Sequence, residues 1–191
     1  MLREMRRRSL VLCALVLLVV LAAFVPATAT AKPGASGQRD AALEQGILRE
    51  VNRVRAARGL RALTLSTPLQ SAATFQSRDM IERGYFDHDQ PGGVSFGERL
   101  RRFYPVVGSG HWSVGENLLW STQGIGAAAA LRLWLASPPH RRNIFDPTWR
   151  DAGVGAFVSP TASGAFSAAG GPVVVVTMDF GARSAARATQ H

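Results

Sequence analysis

Pro172-Val-Val-Val-Val-Thr-Met-Asp-Phe180 is a near-continuous apolar run with four successive valines. Its length suits a strand, and its lack of alternation means a strand covered on both faces. Upstream, Ala152 to Val158 alternates around Gly155 and also reads as a strand. The Gly/Ala/Ser-rich segment 160–171 joins the two as a hairpin. Segment 112–116 offers a third strand.

The chain before this hairpin has a helical period. Asp40 caps a helix with Leu43, Ile47, Val51 and Val54 on one face, and Gly59 ends it. Ser66-Thr67-Pro68 starts a second helix, in which Leu69, Ala72, Ala73 and Met80 share a face and which stops at Gly84. Ser95-Phe-Gly-Glu98 fits a capping box before a short helix reaching Phe103. Residues 122–136 read as a fourth helix that buries Ala127, Leu131, Trp134 and Leu135. Helices first and a hairpin last indicate an α+β domain, with helices on both sides of a small antiparallel sheet.

The ends differ from this body. Arg3, Arg6, Arg7 and Arg8 precede an apolar run from Leu10 to Val25, and Ala27-Thr-Ala-Thr-Ala31 follows. Basic, apolar and small-residue zones in that order read as a secretory signal peptide over residues 1–31, cut after Ala29 or Ala31. The alternative is an uncleaved anchor, for which the run is somewhat short of the roughly 20 residues a span needs. Cys13 is the only cysteine and lies within that run. The rest of the chain must therefore be held by its core without disulfides. Residues 32–40 read as a linker, 41–182 as one folded domain, and 183–191 as a polar tail. The expected location is secreted, in the extracellular space or cell envelope, with no transmembrane segment in the mature chain and a monomeric state.

The formal net charge is +9; residues 1–31 hold four arginines and Glu4, which leaves +6 on the remainder. These arginines are scattered, with no basic run interleaved with aromatics, so nucleic acid is not an expected partner. Attraction to an anionic cell surface fits the charge.

Chemistry is concentrated in three places. His140 follows Ser137, a candidate N-cap, and the two prolines of a helical first turn. The positive end of a helix disfavours imidazolium there, and a neutral ring suits a base or a metal ligand. Glu116 sits between Gly115 and Asn117, just before Leu118-Leu119-Trp120; if buried, it must pair with a cation or a histidine. His88 lies between Asp87 and Asp89, either of which can orient its ring. Each also has a plain structural reading: a backbone-bonded histidine, an outward-turned acid, a solvated acidic loop. His88, His140 and Glu116 could make an open three-ligand zinc site, although their spacing matches no compact metal signature. Ser109, in Gly108-Ser-Gly110, does not fit a hydrolase elbow. A glycosidase pair would need Glu116 with Asp87, Asp89 or Glu98. His111 and the terminal His191 have less support.

Taken in order, these motifs resemble the CAP superfamily of cysteine-rich secretory, antigen 5 and pathogenesis-related 1 proteins (SCP-like domains), in its bacterial branch. The resemblance covers about residues 42–181. It runs through Val51-Asn52-x-x-Arg55-x-x-x-Gly59 with Leu63, then His88, then Gly115-Glu116-Asn117. It continues through Trp134-x-x-Ser137-Pro138-x-His140-Arg141-x-Asn143-Ile144 and ends at Gly153-Val154-Gly155. It implies an α-β-α sandwich with a central cavity lined by two histidines and two acids. His88, His140 and Glu116 match three of the four. The position of the second acid, three residues after Trp134, holds Ser137. Family members are linked to lipid binding and cell-wall association, and divalent-metal binding and protease activity are claimed for some; no shared reaction is established.

The resemblance therefore implies a binding module for a lipid or cell-envelope ligand, its cavity floored by His88, Glu116, His140 and Ser137. The alternative is a hydrolase of cell-wall or peptide substrates in which Glu116 and His140 activate water, with or without a divalent metal such as zinc. A third reading makes the cluster a buried polar network that fixes the fold.

Overall fold

A computed structural model describes residues 37–108, 110–122 and 124–184. The expected leader and most of the polar tail lie outside these residues. Ten helices and strands follow in order: β1 (Gln38–Arg39), α1 (Ala41–Ala56), β2 (Thr64–Leu65), α2 (Thr67–Arg83), α3 (Phe96–Phe103), β3 (Trp112–Thr122), α4 (Ala127–Ala136), α5 (Pro138–Phe145), β4 (Asp151–Ser159) and β5 (Val173–Arg183).

The sheet order is β1-β4-β5-β3, and β2 also pairs with β4. All pairs are antiparallel except β2 with β4. β5 is the central strand, hydrogen-bonded on both sides, so the valine run is buried as its composition requires. Its even-numbered residues, Val174 to Ala182, pack with Leu43, Ile47 and Val51 of α1, Leu131 and Trp134 of α4 and Ile144 of α5. Val173 and Val175 pack with Met80 and Ile81 of α2 on the opposite face. α1, α4 and α5 thus cover one face, and α2 and α3 the other. The domain is an α+β fold, an α-β-α sandwich.

Two glycines set how closely α2 approaches. A Cβ at Gly153 would strike the backbone of Leu69 and Gln70, and one at Gly155 that of Ala73 and Thr74. The helix therefore lies directly on β4. There Ser77 Oγ donates to the Gly155 carbonyl and lies 2.9 Å from Thr177 Oγ1.

The outer edge of β4 is closed by other groups. β1 pairs with Phe157 and Val158, and β2 with Asp151 and Ala152. Between them, the Gln70 side-chain amide bonds both the N–H and the C=O of Val154. The Ala156 N–H donates to Glu44 Oε1 (3.1 Å), and the Ala156 carbonyl accepts from Asp40 N–H (2.9 Å). Glu44 is buried and also binds Arg39 and Gln70.

Several expectations shift. The third strand is not 112–116 but 112–122, because Leu118 to Thr122 continue the ladder against Thr177 to Val173. The fourth helix therefore starts at Ala127 rather than residue 122. The described end of the expected linker is β1, and β5 runs through Arg183, past the expected domain end at residue 182. Segment 160–171 contains a short 3₁₀ helix, Gly164–Ala169, whose Phe166 is buried. The caps at Asp40 and Ser95 form as read, the latter as a full capping box.

Candidate functional site

Glu116 and Asp179 are direct cross-strand neighbours on β3 and β5. Side chains alternate along a strand, so both stand on the face covered by α2 and α3. Arg99 of α3 reaches across them. Its Nη2 donates to Glu116 Oε2, and its Nη1 lies 3.7 Å from Asp179 Oδ2. All three are buried, with residue exposures of 1% for Arg99, 5% for Glu116 and 0% for Asp179.

The other carboxylate oxygen, Glu116 Oε1, meets His88 Nδ1 at 2.8 Å. A carboxylate only accepts, so Nδ1 carries the proton, and the neutral ring then has a lone pair on Nε2. The His88 side chain is 48% exposed, which makes it the solvent-facing end of the network. Gln76 donates to the Asp87 carbonyl, and Tyr85 and Gln90 both donate to Asp79 Oδ2, which anchors the His88 loop. The flanking aspartates do not orient the ring. Asp87 accepts from Asp89 N–H and Asp89 from Phe96 N–H, so both serve the loop backbone.

His140 sits in the first turn of α5, half-buried. Its carbonyl accepts from Asn117 Nδ2 (3.1 Å), and among the described residues no hydrogen bond joins its ring to Glu116. Ser137 is the N-cap by position, but its side chain makes no capping bond.

Proton affinities diverge across the site. The hydrogen bond to Glu116 raises the His88 pKa, opposed by burial and reinforced by the charge of Glu116. Burial lowers that of His140, and His88 lowers it further. The direction for His140 is the one a helix N-terminus would give, but here desolvation is its leading cause. Burial, followed by the charge of Glu116, holds the Asp179 carboxyl well above the usual carboxylate range.

The model for the cysteine-rich secretory protein family, CAP, matches residues 48–180. The chain belongs to this family. It is 29% identical over 114 residues to the uncharacterized protein YkwD of Bacillus subtilis, across 60% of this chain and 42% of that one. It thus spans less than half the length of that relative. An extracellular protein containing an SCP domain from Bacillus anthracis matches at TM-score 0.57 and 26% identity, over 75% of this chain and 41% of the other. An outer surface protein of Borrelia burgdorferi shares the fold at TM-score 0.56 and 16% identity, over 78% of this chain and all of the other. Among the described residues, no helix is long and apolar enough to cross a membrane.

Most of the motif residues of this CAP domain have structural work. Asn52 bonds both backbone groups of Leu63, and buried Arg55 donates to the carbonyls of Arg61, Ile144 and Asp146. β3 is an edge strand, and the Glu116 and Leu118 carbonyls point away from β5. Asn143 Nδ2 donates to the first and Trp134 Nε1 to the second, each at 3.0 Å. The Trp134–Asn143 segment thus covers the β3 edge and sets His140 beside it.

A metal does not fit this site. Among the described residues, no three His, Cys, Asp or Glu side chains gather to hold one. Both Glu116 oxygens are taken, and a guanidinium already supplies the positive charge. Five clefts lie elsewhere on the described residues, and none of them is lined by His88, Glu116, His140 or Ser137.

Two central residues, Arg99 and Asp179, were not singled out from sequence. Asp179 is the one acid in the run 172–180, a buried strand in which a charge needs a partner. Arg99 shares the buried side of α3 with Leu100, where an arginine has to reach a carboxylate.

Proposed function

We propose that this CAP domain is an extracellular or envelope-located binding module that holds a cell-envelope or lipid ligand at His88 and His140. One observation carries this reading: Glu116 is buried with both oxygens committed to Arg99 and His88. It is placed to fix and charge an imidazole, not to take a proton from water. His88 Nε2 then offers a donor when protonated and an acceptor when neutral. Phe96 lies edge-on to the His88 ring at 6.3 Å, and Phe86 is exposed on the same loop, so apolar surface flanks this polar pair.

The test is a titration of the His88 and His140 ring signals by NMR against muropeptides and lipids, using natively purified protein. We expect saturable shifts at both rings with one class of ligand. Unchanged ring signals across the whole panel would overturn the reading.

The opposed proton affinities of the two histidines favour a hydrolase as the second reading, with His88 as acid and His140 as base. Hydrolysis of a cell-wall or peptide substrate that is abolished by His140→Ala would support it; activity unchanged in His140→Ala and Glu116→Gln would end it.

A further inference from the structure

We infer that the end of the sheet where β5 finishes against the start of β3 carries an anion-binding cleft suited to a phosphate group. A cavity of about 370 Å³ opens there, lined by His111, Thr148, Arg150, Arg183 and Ser184 with Pro147 and Ala182. That volume lies in the range of small-ligand sites. Among the described residues, no carboxylate lines it.

Both guanidiniums are held in place by groups other than acids. Arg150 Nη1 donates to the carbonyls of Pro147, Thr148 and Trp149. Arg183 lies over the Tyr104 ring at 3.9 Å, and its Nη1 donates to the Pro105 carbonyl. Neither forms an ion pair among the described residues, whereas Arg39, Arg53, Arg78, Arg83 and Arg99 all do. The neighbouring acids are engaged elsewhere. Asp151 accepts from the Tyr104 hydroxyl (2.6 Å), and Asp146 accepts from Thr148 N–H and Oγ1.

Guanidinium forks match phosphate oxygens, and arginines fixed in advance lose little freedom on binding. Two uncompensated forks beside an imidazole and the Ser184 hydroxyl suit a phosphate monoester or diester better than a neutral sugar. Such a group can belong to a soluble phosphoester or to an anionic lipid head group.

The probes are glycerol 3-phosphate, followed by NMR of backbone signals at 147–150 and 182–184, and vesicles of phosphatidylglycerol against phosphatidylcholine, followed by co-sedimentation. We expect saturable shifts with glycerol 3-phosphate that chloride at equal ionic strength does not reproduce. Phosphatidylglycerol binding in addition identifies the head-group source; soluble binding alone identifies a free phosphoester. Arg150→Gln should weaken binding about tenfold or more, and Arg150→Lys less. Arg183 also packs on Tyr104, so Ser184→Asp, at an exposed rim position, gives a variant that keeps that packing and should abolish binding. No saturable response to either probe, or full binding by both Arg150→Gln and Ser184→Asp, overturns the proposal.

Discussion

Replacing Arg99 by methionine removes the one guanidinium that, among the described residues, touches both Glu116 and Asp179. The methionine fills much of the space without the charge. Breaking a buried ion pair by deleting one partner costs about 3–5 kcal/mol, because the other charge is left buried and unmatched. For a domain of this size each kcal/mol lowers Tm by roughly 2–4 °C, so the expected loss is about 6–20 °C. The loss should depend on pH. Arg99 pulls the Asp179 pKa down against burial and Glu116; without it, Asp179 moves further up. A group whose folded pKa is raised contributes stability below its unfolded value, about 3.9, and loses it as pH rises through the folded value. The Arg99→Met deficit should therefore be smaller at pH 5 than at pH 8. Urea unfolding followed by circular dichroism at both pH values measures it. Adding Glu116→Gln to Arg99→Met should recover a large part of the loss, because the stranded carboxylate is gone. A deficit below about 1 kcal/mol, or a double variant no more stable than the single one, would refute the argument that this guanidinium neutralises the site.

Four further outcomes follow from the same contacts. In Glu116→Gln, the His88 pKa should fall back towards the free value of about 6.5, and the downward pull of His88 on His140 should weaken; ring-proton titration reads both. Trp134→Phe leaves the Leu118 carbonyl without its 3.0 Å donor and should cost about 1–3 kcal/mol in urea unfolding. Gly155→Ala drives a methyl into the backbone of α2 at Ala73 and should cost about 3 kcal/mol or more, or prevent folding, as seen in expression and thermal melts. Zinc should neither raise Tm nor shift the His88 and His140 rings, and a one-to-one zinc isotherm that moves both would contradict the misfit described above.

The fold was largely legible because its signals are local. Asp40, Ser95, Pro68 and Gly84 mark helix ends by side-chain and backbone geometry, and the β-branched valine run reads as the covered strand it forms. The start of α4 was not, because Leu118 to Thr122 are held as strand by partners more than fifty residues away. The site was half legible. His88 and Glu116 do meet, and His140 lies near enough to feel the charge of His88. Arg99 and Asp179 are not legible in the sequence because neither has a partner near it in the chain. Asp179 is a lone charge in an apolar run, and Arg99 is one of several charges between Glu98 and Arg102; only the register of β3 against β5 and the packing of α3 bring them to Glu116.

The filled edge of β4 bears on how this protein behaves among other chains. A strand edge with open N–H and C=O groups is a template on which another chain can grow. Here Gln70 imitates a neighbouring strand at Val154, and Glu44 with Asp40 does the same at Ala156. The opposite edge is occupied at Glu116 and Leu118 by Asn143 and Trp134. Strand exchange and fibril-like stacking find no unfilled rungs at these positions. Without a cysteine after residue 13, the fold cannot be locked covalently by disulfides. The capped rungs instead withhold the backbone groups that recruitment of another chain would need.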